Sequence, residues 1–187
     1  MLGVENGWYV GEKEVVHEQV RIAVSPSAEN SRSVDFDLVW TPVDRAVTLQ
    51  GVPEKSYGGF TARFAPHQDA VITAPEGRTS GDLAVTRLPW ADFTGRFEGG
   101  TKRSGLAIFI DREHPDYPPT WLTRHYGALC VGWPGVEPQT LQPGESVRCR
   151  YRVWIHRGEA TVEQLERAYL QYSGAARRTP QSESGEP

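Results

Sequence analysis

Five histidines, His17, His67, His114, His125 and His156, are the side chains of this sequence best suited to moving protons. An imidazole titrates near neutrality and can act as acid or base. No two of them are spaced as H-x-H or H-E-x-x-H, so no metal site is expected. His17 and His156 fall on the polar faces of alternating segments, which makes them the candidate catalytic pair. The alternative for each is a surface or hydrogen-bonded sheet histidine.

A second concentration of chemistry lies in residues 111–127. Asp111, Arg112 and His114 leave the end of an apolar segment. Pro115, Pro118 and Pro119 then restrict the backbone, and Trp121, Arg124, His125 and Tyr126 follow before Gly127. A stiffened loop carrying these groups at a strand end could bind substrate. It could equally be structural, with Trp121 filling a core gap and Arg124 pairing with Asp111. Asp35 and Asp37 share a strand face at ~7 Å spacing, as a cation site, an acid/base pair or simple surface charge would require. No G-x-S-x-G, P-loop, G-x-G-x-x-G or C-x-x-C motif occurs, so serine-hydrolase, P-loop, Rossmann and thiol-redox chemistry have no support and no cofactor is expected.

The elements that must position these groups are strands. Residues 14–24 set Val16, Val20, Ile22 and Val24 against His17, Gln19 and Arg21. Residues 33–41 set Val34, Phe36, Leu38 and Trp40 against Asp35, Asp37 and Thr41. Residues 57–65 place Phe60, Ala62 and Phe64 opposite Tyr57, Thr61 and Arg63, and residues 104–112 are almost wholly apolar. Residues 145–157 alternate longest, with Val147, Cys149, Tyr151, Val153 and Ile155 opposed to Arg148, Arg150, Arg152, Trp154 and His156. Shorter strands are expected near 45–51, 69–74, 83–87 and 127–132. Many strands without intervening helices predict an all-β antiparallel sandwich. One helix is expected over 162–172, where Thr161 and Gln164 form a capping box. Residues 1–172 read as one domain and 173–187 as a disordered polar tail.

Composition narrows the function classes. The chain has 187 residues, a net charge of −4 and no basic excess, which argues against nucleic-acid binding. No apolar run approaches the roughly 20 residues that span a bilayer, and no secretory signal is visible, so no membrane role is expected. Cys130 and Cys149 read as buried free thiols, and the protein as cytoplasmic.

If the polar strand faces form one surface, His17, Arg63, Arg152, Trp154 and His156 would converge on it. Carboxylates, arginines and imidazoles hydrogen-bond hydroxyls, while an indole stacks on a sugar's C–H face. An ordinary solvated sheet face is the alternative.

The ordered landmarks VVHEQVRI, VDFDLVWTP, YGGFTARFA, WADFTG, GLAIFIDREHP, WLTRHYG and YRVWIHRGEAT resemble the PmoA-like family, labelled "methane oxygenase PmoA", from about residue 5 to residue 172. The resemblance implies a galactose-mutarotase-like supersandwich whose concave face binds or processes carbohydrate. Copper-dependent methane oxidation is not implied, because this chain has no membrane-spanning segment. His17 and His156 match family landmarks. The family's histidine-rich upstream half, with HH-x-G and HG, has no counterpart here, so a partial sandwich with exposed edges is expected.

The resulting expectation is a protein that binds or modifies a sugar or sugar derivative. His17 and His156 would be acid and base, and Arg63, Asp111, His114, Trp121, Arg124, Arg152 and Trp154 would bind substrate. The rival is a non-catalytic interaction module, or a degenerate family member, that pairs with itself or another chain through sheet edges.

Overall fold

A computed structural model describes residues 1–53 and 59–175. An antiparallel eight-stranded sheet faces a four-stranded one, as the alternation predicts. The larger sheet begins with β1 (Leu2–Val10), β2 (Lys13–Val24) and β3 (Ser31–Pro42), while β4 (Val47–Leu49) lies outside it. The smaller sheet contains β5 (Thr61–Arg63) and β8 (Ala84–Arg87); β6 (His67–Ala74), β7 (Gly77–Arg78), β9 (Trp90–Phe97) and β10 (Ser104–Ile110) belong to the larger. Next come β11 (Thr120–Arg124) and β12 (Ala128–Gly132) of the smaller sheet, then β13 (Gln139–Leu141), which pairs with β4. The chain returns as β14 (Val147–Arg157) in the middle of the larger sheet, and α1 (Val162–Ala175) closes it. The larger sheet therefore runs β1-β2-β3-β14-β10-β9-β6-β7, and the smaller β5-β12-β11-β8.

The core follows the alternating residues inward. Val16, Trp40, Cys149, Tyr151, Ile108, Ile110, Phe93 and Ile72 from the larger sheet meet Trp121, Leu129 and Val131 from the smaller. Phe60, Ala62 and Phe64 pack on this core, although only Thr61–Arg63 is a regular strand. Tyr57, the start of the expected 57–65 strand, lies outside the described residues.

A second core lies on the opposite face of the larger sheet. Leu165, Tyr169 and Tyr172 of α1 cover Trp90, Ala107 and Phe109. The capping box forms as expected: Gln164 N donates to Thr161 Oγ1 at 3.3 Å, and Thr161 N donates to Gln164 Oε1 at 2.9 Å. The helix runs three residues beyond the expected end, with Ser173 buried. The rest of the expected tail, residues 176–187, lies outside the described residues.

Two corrections follow from this helix. β9 is buried on both faces over its first six residues, between core and helix, so its polar residues Asp92 and Thr94 lie enclosed and not on a solvated face. The outer face of β14 is not a wet face along its whole length. Ile155, expected inside, is exposed, whereas His156, expected on the polar surface, is buried to 4% exposure.

The smaller sheet leaves part of the larger one uncovered. Leu2, Val4 and Val24 stand 57%, 36% and 58% exposed at the β1–β2 edge. Cys130 and Cys149 are both buried and unbridged. Among the described residues, no helix is long and apolar enough to cross a membrane.

Candidate functional site

His156 lies opposite Gly105 on β10, which lies opposite Thr94 on β9. The central glycine decides what happens in this row. A Cβ at position 105 would sit 2.5 Å from His156 Nε2 and would also strike the Thr94 hydroxyl. With no side chain there, the imidazole leans across β10 and reaches the next row of β9. Its Nε2 lies 2.9 Å from Asp92 Oδ1, and Thr94 Oγ1 donates to Asp92 Oδ2 at 2.8 Å. Asp92, like His156, is almost completely enclosed.

A carboxylate can only accept, so Nε2 carries the hydrogen, and in its neutral form the ring presents a lone pair at Nδ1. That Nδ1 is buried and has no hydrogen-bond partner. Leaving such a group unpaired costs about 1–3 kcal/mol. The ring also stacks on Trp154, two residues back on the same strand, with centroids 4.9 Å apart. A cleft of about 340 Å³ opens here between β14 and α1, lined by Asn30, Trp154, His156, Arg157, Gln164 and Arg167 among others. Neither Arg157 nor Arg167 has an ion-pair partner among the described residues, so both guanidinium groups are free to meet a ligand.

Further along the same face, Arg152 donates from Nε and Nη2 to Asp35 at 2.6 and 2.7 Å, and lies over the Tyr172 ring at 4.8 Å. Asp37 is held in a two-pronged contact by Arg148. Burial raises the Asp37 pKa, but the Arg148 hydrogen bond and the surrounding arginines outweigh it and hold the carboxyl below its usual value. Each carboxylate of the Asp35/Asp37 pair is thus committed to an arginine. Among the described residues, no group of three His, Cys, Asp or Glu side chains is arranged to hold a metal ion.

The remaining candidates do not join this site. His17 pairs in register with Thr41, and His156 with Ser31, ten residues away on the same strand β3. At about 3.3 Å per residue that is ~33 Å, so the two histidines are not brought together. His17 instead lies beside Glu14. Arg63 is on β5 of the other sheet, opposite Ala128. Arg124 donates to the carbonyls of Leu83 and Thr123 and lies 3.8 Å from Asp82, not beside Asp111. Trp121 is a core residue whose Nε1 donates to Leu88 O at 2.8 Å, which is the plug role and not a binding one.

His114 is likewise interior. Its Nδ1 accepts from Asp116 N and its Nε2 meets the Tyr151 hydroxyl at 3.1 Å. Burial pushes its pKa down to about 4, against the partial opposition of Asp116. Asp111 Oδ1 accepts from Glu113 N, and its Oδ2 is buried 3.8 Å from Arg150. Of the five residues expected to converge, Arg152, Trp154 and His156 share one strand face, while His17 and Arg63 stand elsewhere. Asp92 and Gly105 were not legible as site residues, because neither carries a motif and only the strand order places them beside His156.

Fold and site together define an antiparallel β-sandwich with a histidine–aspartate pair enclosed between its larger sheet and a closing helix. Residues 1–170 match the model of a family of unknown function (DUF6807), and the chain belongs to that family. No curated protein and no solved structure matches it.

Proposed function

We propose that the cleft between β14 and α1 binds a sugar or sugar derivative, and that His156 acts there as acid and base. The observation that carries this reading is the unpartnered, buried Nδ1 of His156, whose opposite nitrogen is fixed by Asp92. A ligand hydroxyl at Nδ1 would give up its proton to the ring, and Asp92 would stabilise the imidazolium that forms. Thr94 keeps the carboxylate turned toward the ring. Trp154 offers a face for stacking, and Asn30, Gln164, Arg157 and Arg167 offer hydrogen bonds to hydroxyl or carboxylate groups. The site is narrower than the whole polar face and replaces the His17–His156 pair with His156–Asp92. The PmoA-like resemblance and a location in the reducing cytoplasm belong to this proposal; the free thiols support the latter.

The test is thermal denaturation with neutral monosaccharides and uronates. A ligand at about a hundredfold excess over its Kd should raise Tm by about 5 °C or more, and His156→Gln should reduce the shift. No shift from any sugar, or an equal shift in His156→Gln, overturns the reading.

A second reading is favoured by the uncovered apolar edge at Leu2, Val4 and Val24. β1 has one free side, and a long apolar edge strand is a template for pairing with another chain. In that case the protein is an interaction module. Sedimentation would show a self-associated or partner-bound species that Val4→Lys disperses, and a strictly monomeric protein would exclude self-pairing.

A further inference from the structure

The inner face of β2 contains one residue out of keeping with its neighbours. Val16, Val20 and Ile22 are apolar, but Glu18 stands between them on the same side. A carboxylate on a sandwich's inward face needs partners, and it has two. Trp40 Nε1 donates to Oε1, and Asn6 Nδ2 donates to Oε2 at 2.7 Å. Both come from the flanking strands, since Glu18 lies in register with Asn6 on β1 and Trp40 on β3. These bonds fix the carboxylate and leave it lone pairs for a further donor.

Glu18 faces a pocket of about 440 Å³, within the size range of small-molecule sites. Its walls are aromatic. Trp8 and Trp40 meet at a centroid distance of 5.6 Å, and Trp40 stacks on Trp133 at 5.3 Å. Phe60, Leu38, Leu49 and the amide-bearing Gln50 also line it. Gly59 forms part of the wall with φ +65°, where a Cβ would lie 2.5 Å from the Trp133 carbonyl oxygen. Only glycine lets the backbone close so tightly on β12 and the residue after it.

We propose that this tryptophan pocket is a saccharide-binding site for an uncharged sugar, with indole walls against the ring's C–H faces and Glu18 accepting from its hydroxyls. Apolar walls with a few oriented polar groups suit a ring that is apolar on its faces and polar at its rim. Among the described residues of the lining, Glu18 is the only ionisable side chain apart from the tyrosine Tyr151, so the charge they present repels an anionic sugar. The site shares no residue with the His156 cleft, and it stands or falls separately from the acid/base reading.

The experiment is a tryptophan-emission titration of the full chain carrying Trp154→Phe, which silences the indole of the other cleft. Glucose, galactose and cellobiose are the neutral probes, and glucuronate is the charged one. At least one neutral sugar should give a saturable change with Kd of about 1 mM or below, and glucuronate should bind at least about tenfold more weakly. Trp8→Ala should weaken neutral-sugar binding about tenfold, with the fold checked by circular dichroism. Glu18→Gln retains the side-chain shape and should bring glucuronate close to its neutral counterpart. Adding His156→Gln should change nothing. Absence of saturation with every neutral sugar, equal binding in a folded Trp8→Ala, or unchanged discrimination in Glu18→Gln overturns the proposal.

Discussion

His156 and Asp92 meet at 2.9 Å although β10 runs between their strands. The contact exists because the intervening position is Gly105, and because α1 seals the face on which it lies. This arrangement makes the pair sensitive to changes that leave both residues in place.

Gly105→Ala should displace the imidazole without removing any of its atoms. The added methyl overpacks a buried row, so a loss of about 1–3 kcal/mol is expected in urea denaturation. The His156 imidazole resonances should move in the same variant, and unchanged resonances would contradict the packing described here.

Asp92→Asn leaves the shape but removes the charge that orients His156. A loss of about 1–3 kcal/mol is expected, since a buried hydrogen bond to a charged acceptor is replaced by one to a neutral amide. The double variant with His156→Gln should lose less than the sum of the two single changes, and strict additivity would show that the residues act independently.

His114 should make stability fall at mildly acidic pH. Its folded pKa is about 4, below its ordinary 6.5, so the unfolded chain binds the proton first as pH falls. Its contribution is complete above about pH 6.5 and is lost as pH falls through about 4, amounting to as much as about 3 kcal/mol. His114→Gln should flatten that part of the stability profile between pH 7 and pH 4. An identical slope in the variant would place the titration elsewhere.

Leu165→Ala tests the helix as a lid. Leu165 is completely buried against the outer face of the sheet, so truncation should cost about 2–5 kcal/mol. Hydrogen exchange should rise first in α1, while the inner core of Ile108, Ile110 and Phe93 stays protected. Uniform loss of protection would mean that helix and sandwich unfold as one unit.

Much of the architecture was legible in local pattern. β2, β3 and β14 alternate because each has one face toward the sandwich core, and Thr161 with Gln164 announced the helix start. β11 is not marked in the sequence for the converse reason: buried on both sides, it has no polar face to mark its period. Reading β14 as one polar face throughout failed where α1 covers it, because the strand's own residues do not say what lies above them. Trp121 and Arg124 were placed in one loop by sequence, yet the indole turns into the core while the guanidinium stays with Asp82 and the Leu83 carbonyl.

The sequence by itself determined the all-β class, most of the inward set of β2, β3 and β14, the helix and the free cysteines. Those properties follow from periodicity and composition, which act over a few residues. Only the tertiary structure decided which chemical groups meet. Strand order put Asp92 and Gly105 beside His156, and register carried His17 some ten residues along β3 from it. Hydrogen bonds between distant strands are set by global packing, and no local spacing in the chain encodes them.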